Sequence, residues 1–208
     1  MRHGARKIVG AILAAGYGER MLPLTAEIPK PLLPVLGTPL LEILVGKLLR
    51  QSAGEIHVNL FHLPGRIERL AAGRGWPVQF HRERELFGTG GGIGNMADEL
   101  SSADIVLLHN GDVLSNIQYE PAIELHEARR ALVTLVLVPS GPAANVAIDG
   151  RGGVTGVGDE AVKNARASSL LGYTGLAVLS PESLTFFPRG KRAGLVPILN
   201  EMIRAKPG

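Results

Sequence analysis

One N-terminal segment combines residue types that are suited to binding a polyphosphate. Gly16 and Gly18 follow an apolar run, and glycine lets a backbone turn tightly and bring its N–H groups close to phosphate oxygens. Arg20 offers a planar fork of donors, whereas Lys30 offers a compact positive charge. Prolines on both sides of Lys30 restrict the backbone that presents it. Each feature alone is common, but together they indicate a site for a nucleoside triphosphate.

A second polar group follows the apolar run at 105–109. It consists of Asn110, Gly111 and Asp112. A carboxylate at the end of a strand is a suitable ligand for Mg²⁺, which prefers oxygen donors and usually takes one or two carboxylates together with substrate phosphates. The alternative is that Asp112 is only a turn residue or a helix cap.

The glycine-rich run GTGGGIG at 88–94 has three interpretations. It could be a flexible loop, or a dinucleotide fingerprint of the GxGxxA type formed by Gly92, Gly94 and Ala97. The fingerprint does not fit its context, because it should directly follow the first strand of a βαβ unit. The third interpretation, a wall that approaches a nucleobase closely, depends on the family resemblance described below.

The pattern of apolar residues predicts the elements that position these groups. Strands are expected at 8–14, 56–61, 78–81, 105–109, 132–138, 146–148, 153–157 and 170–179, and helices at 40–50, 66–72, 95–100, 119–130, 195–204 and, briefly, from Pro181. This alternation predicts an α/β fold with a Rossmann-like mixed, largely parallel sheet and helices on both faces. Ligands bind such sheets outside the carboxyl ends of the strands, where Gly16 and Asp112 both lie.

Composition limits the classes of protein that the chain could represent. It has 208 residues, including 27 glycines and no cysteine, so disulfides, thiolate metal sites and cysteine nucleophiles are excluded. The net charge of +3 is too small to indicate nucleic-acid binding. Residues 1–15 resemble a signal peptide, but the apolar part has the length of a buried strand. We expect a single domain over 1–208, cytoplasmic and without a membrane partner, as a monomer or homo-oligomer.

The sequence LAAGYGERMLPLTAEIPKPLLPV, from Leu13 to Val35, resembles the N-terminal signature of the sugar-1-phosphate nucleotidyltransferase family. Asn-Gly-Asp after an apolar strand resembles that family's metal site. The resemblance implies an enzyme that joins a nucleoside triphosphate and a sugar 1-phosphate to give a nucleotide-sugar and pyrophosphate. It implies catalytic roles for Arg20, Lys30 and Asp112, with Mg²⁺ on Asp112. It also implies nucleotide-binding residues Leu13, Ala14, Ala15, Gly16, Gly18, Glu19, Arg20, Lys30, Thr89, Gly90 and Asn110, and sugar-binding residues Gly172, Thr174 and Gly175.

The triple glycine at 90–92 resembles the sequence of one branch of this family, which contains N-acetylmuramate-1-phosphate uridylyltransferases and mannose-1-phosphate guanylyltransferase-like proteins. This favours UTP with N-acetylmuramate 1-phosphate, or GTP with a sugar like mannose 1-phosphate. The late Asp-Val/Ile-Gly-Thr-Pro turn that completes the family's metal site is not found here, and residues 159–163 lack the Glu-Lys-Pro motif of many relatives. The alternative is therefore a catalytically weak or regulatory protein of the same fold that binds nucleotide-sugars.

Overall fold

The computed structural model describes residues 6–139, 144–163 and 167–206, so residues 1–5 of the basic N-terminus lie outside the described part. The strands are β1 Ile8–Leu13, β2 Pro34–Val35, β3 Thr38–Pro39, β4 Glu55–Leu60, β5 Val78–Arg82, β6 Ile105–Asn110, β7 Val133–Val138, β8 Ala144–Ile148, β9 Val154–Val157 and β10 Ser169–Leu179. The α-helices are α1 Leu24–Glu27, α2 Leu40–Arg50, α3 Pro64–Arg74, α4 Gly88–Leu100, α5 Glu120–Arg129, α6 Asp159–Val162 and α7 Leu195–Ala205. Short 3-10 helices occur at Glu19–Met21, Lys30–Leu32 and Pro181–Phe186.

Within the described residues, eight strands form one sheet in the order β5-β4-β1-β6-β10-β8-β9, and β7 also pairs with β10. The first four strands are mutually parallel, whereas β10 runs antiparallel to β6, β7 and β8. Because β9 is antiparallel to β8, six strands point one way and only β9 and β10 point the other. The prediction of a mixed, largely parallel sheet is confirmed.

Helices cover both faces of this sheet, as predicted. On one face, Ile12 and Ile56 pack against Leu44 and Leu48 of α2, together with apolar residues of α3 and α5. On the other face, Val9 and Ala11 of β1 pack against α4, α7 and the 3-10 helix at Pro181–Phe186. β1 lies at the centre and is apolar on both sides, which is why its sequence is continuously apolar rather than alternating.

One predicted boundary differs from the structure. We expected a helix only after the glycine run, but α4 begins at Gly88 and contains the whole run. Glycine is an unfavourable helix residue by roughly 1 kcal/mol relative to alanine, so packing must stabilise it here. A Cβ on Gly91 would lie 2.2 Å from the Lys191 carbonyl oxygen, and one on Gly94 would lie 2.1 Å from that of Pro188. The glycines therefore let the 188–194 segment lie directly on α4.

None of the helices in the described ranges is long and apolar enough to cross a bilayer.

Candidate active site

A cleft of about 960 Å³ opens at the carboxyl ends of β1, β4 and β6. Its walls contain eleven of the residues that the sequence predicts for the site: Leu13, Ala14, Ala15, Gly16, Gly18, Glu19, Arg20, Lys30, Thr89, Asn110 and Asp112. These residues come from four separate segments of the chain. The rule that open α/β sheets bind ligands beyond the ends of their strands thus predicts the location of the cleft.

The glycine loop after β1 carries unused backbone donors. In the described part of the chain, the N–H groups of residues 16–20 have no hydrogen-bond acceptor. Gly18 has φ +71°, and its carbonyl oxygen accepts a hydrogen bond from Thr25 Oγ1 at 2.9 Å. A Cβ on Gly18 would lie 3.1 Å from the Cβ of Lys30, so glycine at this position lets the loop pack closely against the stem of the lysine. A run of free N–H groups beside a lysine is a suitable surface for phosphate oxygens.

Lys30 and Asp112 meet at the rim of this cleft. Lys30 Nζ lies 2.6 Å from Asp112 Oδ2, although the two residues are 82 positions apart. Both side chains remain accessible, at 25% and 39% of their full exposure. Arg20 lies on the exposed 3-10 helix at Glu19–Met21, and it forms no ion pair with any residue in the described ranges. The cleft therefore contains one paired and one unpaired cation, together with a carboxylate that is open to solvent.

Asn110 has an unused acceptor beside the cleft. Its Oδ1 is buried and has no hydrogen-bond partner within the described residues. An unsatisfied buried acceptor is unfavourable. Gly175 packs against this side chain: its φ is +86°, and a Cβ there would lie 2.7 Å from Asn110 Nδ2. The structure therefore places Gly175 next to the site but behind Asn110.

The N-terminal end of α4 forms the wall opposite the glycine loop. Leu86, Gly88 and Thr89 line the cleft there. Gly90 does not, because it is buried and its N–H donates to the Ala193 carbonyl oxygen at 3.0 Å. The amide expected to approach a nucleobase is thus already paired inside the fold.

The predicted sugar-binding residues of β10 also lie outside the lining of this cleft. Gly172 is buried and pairs with Val138 and Ala144 of neighbouring strands. Thr174 Oγ1 donates to the Val136 carbonyl oxygen at 2.7 Å, so its hydroxyl already has a partner within the sheet.

Several lining residues were not predicted: Tyr17, Met21, Pro31, Asn59, Leu86, Gly88 and Gly111. The same strand-end rule would have found Asn59, because it is the penultimate residue of β4, the strand next to β1. Tyr17 packs edge-on against Phe61, with ring centroids 5.4 Å apart, which anchors the tip of the glycine loop. Nothing in its local sequence indicates that contact.

Ionisable groups are buried directly behind the cleft. Burial raises the pKa of the Glu83 carboxyl, although hydrogen bonds from the Phe87 N–H and the Asn59 side chain oppose the shift. Burial lowers the pKa of His109, at the end of β6, to about 4. The site thus has a low-dielectric wall, in which polar groups are costly unless they are hydrogen-bonded.

Comparisons with known proteins agree with this fold. The N-acetylmuramate alpha-1-phosphate uridylyltransferase of Neisseria meningitidis serogroup B is 32% identical over 203 residues, which cover 93% of this chain and 84% of that protein. The mannose-1-phosphate guanylyltransferase of Mycobacterium tuberculosis is 33% identical over 138 residues, which cover 65% of this chain. The chain spans only 38% of the length of the mycobacterial protein.

Among solved structures, HddC from Yersinia pseudotuberculosis superposes with a TM-score of 0.73 at 23% identity, covering 92% of this chain and 85% of that one. At that identity the likeness shows the fold alone. The family assignment comes from the sequence, because the family model described as nucleotidyl transferase matches residues 9–148, about two thirds of the chain. The protein belongs to the nucleotidyl transferase family.

Proposed function

We propose that the protein is a sugar-1-phosphate nucleotidyltransferase. In the reaction, an oxygen of a sugar 1-phosphate attacks the α-phosphorus of a nucleoside triphosphate. The new P–O bond gives a nucleotide-sugar, and pyrophosphate leaves with the electrons of the broken bond. The observation that carries the proposal is the meeting of Lys30 and Asp112 at 2.6 Å beside a loop of free N–H groups.

The residues of the cleft have complementary roles in this reaction. The N–H groups of residues 16–20 bind phosphate oxygens, and Arg20 holds the departing pyrophosphate through its fork of donors. Lys30 neutralises the α-phosphate and the incoming phosphate, which would otherwise repel each other. Asn110, which lines the cleft, lies near the ribose of the nucleotide or the sugar phosphate. Catalysis consists of aligning the reactants and stabilising the charge that spreads during transfer.

The residues present are compatible with a divalent cation. No group of three or more His, Asp or Glu side chains in the described ranges is arranged to hold a metal ion. These residues alone therefore do not form a complete set of metal ligands. Asp112 is nevertheless an accessible carboxylate that already faces a cation, the Lys30 ammonium. Mg²⁺ often binds through one carboxylate and the phosphates of its substrate, so Asp112 would hold it together with the nucleotide. Bound there, Mg²⁺ would offset phosphate charge.

The relatives suggest which substrates to test first. The meningococcal relative is named for N-acetylmuramate α-1-phosphate and uridylyl transfer, and the mycobacterial one for mannose 1-phosphate and guanylyl transfer. We therefore favour UTP with N-acetylmuramate 1-phosphate, or GTP with mannose 1-phosphate or a similar sugar. The test is a panel of four nucleoside triphosphates against several sugar 1-phosphates, with release of pyrophosphate as the readout.

Lys30→Met and Asp112→Asn should each reduce pyrophosphate release by at least 100-fold, because each removes a charge that acts on the transferring phosphate. Lys191→Met and Asp98→Asn are matched controls, since both residues are exposed and lie outside the cleft. Activity near the wild-type level in either site variant would remove that residue from the mechanism. Tight binding of a nucleotide-sugar without release of pyrophosphate from any pair would favour a regulatory protein instead.

A further inference from the structure

A buried chain of hydrogen bonds connects the two walls of the cleft. The backbone N–H of Ala14, in the glycine loop, donates to Asn59 Oδ1 at 2.7 Å. Asn59 Nδ2 donates to Glu83 Oε1 at 2.6 Å, and the backbone N–H of Phe87 donates to Glu83 Oε2 at 2.8 Å. Asn59 is 2% exposed and Glu83 is 6% exposed. Phe87 directly precedes α4, so the chain of bonds runs from one wall to the other.

The polarity of this chain requires one carboxylate. A backbone N–H stands at each end, and both are donors that cannot be reversed. Two amide side chains between them would leave one contact with donor facing donor. A carboxylate accepts on both sides and resolves the conflict, which explains why Glu83 is buried without an ion-pair partner in the described ranges. Gly92 of α4 makes room for the pair, since a Cβ there would lie 2.5 Å from Asn59 Nδ2.

We propose that Asn59 and Glu83 are positioning residues that hold the glycine loop and the N-terminal end of α4 at the separation that the bound nucleotide requires. The inference rests on the proposed function. Neither residue takes part in the chemistry. Asn59 acts by fixing Ala14, and Glu83 acts by fixing Phe87 and, through it, Gly88 and Thr89 at the opposite wall.

The test reverses the polarity of the pair. Glu83→Gln alone leaves a donor facing a donor, and Asn59→Asp alone places two carboxylates in contact. The double variant Asn59→Asp with Glu83→Gln satisfies every bond again, because the carboxylate at 59 accepts from Ala14 N–H and from the new amide, whose oxygen accepts from Phe87 N–H. We expect each single variant to raise the Kd and KM for UTP or GTP roughly tenfold, the cost of one unmatched buried group.

The double variant should return to within about threefold of the wild-type Kd and KM. The KM for the sugar 1-phosphate should change little in all three variants, a split that a general loss of stability would not produce. His81→Gln is the control. His81 lies opposite Asn59 on the neighbouring strand, but it does not line the cleft, and its Nε2 lies 2.8 Å from Nδ1 of His57. That variant should lower the unfolding temperature and leave the nucleotide affinity unchanged.

The outcomes separate the two proposals. Calorimetry on the wild-type protein with all four nucleoside triphosphates of the panel comes first, and binding of none of them would overturn the proposed function and this inference together. If the wild-type protein binds a nucleotide and both single variants bind it with the same affinity, the inference alone is overturned. A double variant that folds as stably as the wild type but binds nucleotide as weakly as the single variants would also overturn it.

Discussion

Acid should destabilise this protein through one completely buried histidine. His109 ends the apolar part of β6 and is 0% exposed. Its Nδ1 lies 2.8 Å from the carbonyl oxygen of Asn110, which only accepts, so Nδ1 carries the proton of the neutral ring. Its Nε2 is buried without a partner in the described ranges. Protonation there would bury an unpaired charge, and burial accordingly lowers the pKa of His109 to about 4.

The direction and size of the change in stability follow from the pKa of His109 in the folded protein and its pKa in the unfolded chain. The unfolded chain has an ordinary histidine pKa of about 6.5, so as the pH falls it takes up the proton before the native state does. The stability contributed by the neutral ring is complete above pH 6.5 and is lost progressively as the pH falls toward 4. Between pH 7 and pH 5, proton linkage predicts a loss of about 2 kcal/mol from this residue alone.

The assay is urea unfolding followed by the fluorescence of Trp76, the single tryptophan. We compare wild type with His109→Asn, which keeps an N–H donor and does not titrate. The free energy of unfolding of the variant should fall by about 2 kcal/mol less than that of wild type between pH 7 and pH 5. His57, His81 and His126, whose pKa values burial also lowers, titrate in both proteins and cancel. An equal fall in both proteins would refute the reasoning.

Glycine substitutions give three further predictions. Gly16→Ala should weaken UTP and GTP binding at least tenfold without lowering the unfolding temperature. The added Cβ meets no atom within 4 Å in the free protein, but it would obstruct the approach of phosphate. An unchanged affinity measured by calorimetry would contradict this prediction. Gly91→Ala should lower the free energy of unfolding by about 2 kcal/mol through its clash with the Lys191 carbonyl. Gly73→Ala, at an open position of α3, should raise it by about 0.5–1 kcal/mol. Urea titrations in which both variants shift the same way would count against the packing argument.

Local sequence predicted the parts of the fold that depend on local patterning. The apolar periodicity of α2 gave its observed range, 40–50, and the run at 105–109 gave β6 to within one residue. The position of the cleft was predictable for the same reason, since Gly16 and Asp112 each follow a strand, and neighbouring parallel strands end at one edge. These inferences needed only strand order and direction, both of which follow from short α/β connections.

The remaining features depend on contacts between distant segments. The helical state of the glycine run follows from the 188–194 segment, which lies on α4 after about a hundred intervening residues. The pairing of Asn59 with Glu83 depends on the register of β4 against β5, which periodicity does not specify to one residue. The sugar-binding roles of Gly175 and Thr174 come from the family resemblance and stay predictions. Local sequence does not indicate the contacts that the structure shows for them, the Thr174 hydroxyl with the Val136 carbonyl and Gly175 with Asn110.

The lining of the cleft has a consequence for how the family could diversify. Every lining residue identified in the described ranges lies between Leu13 and Asp112, whereas β7 to β10 and α5 to α7 support that half from behind. Substitutions after Asp112 therefore influence the cleft only indirectly, through the backing of β6, the contact of Gly175 with Asn110 and the 188–194 segment that lies on α4. Exposed positions of the C-terminal half that make none of these contacts can therefore change the surface of the protein without altering the cleft.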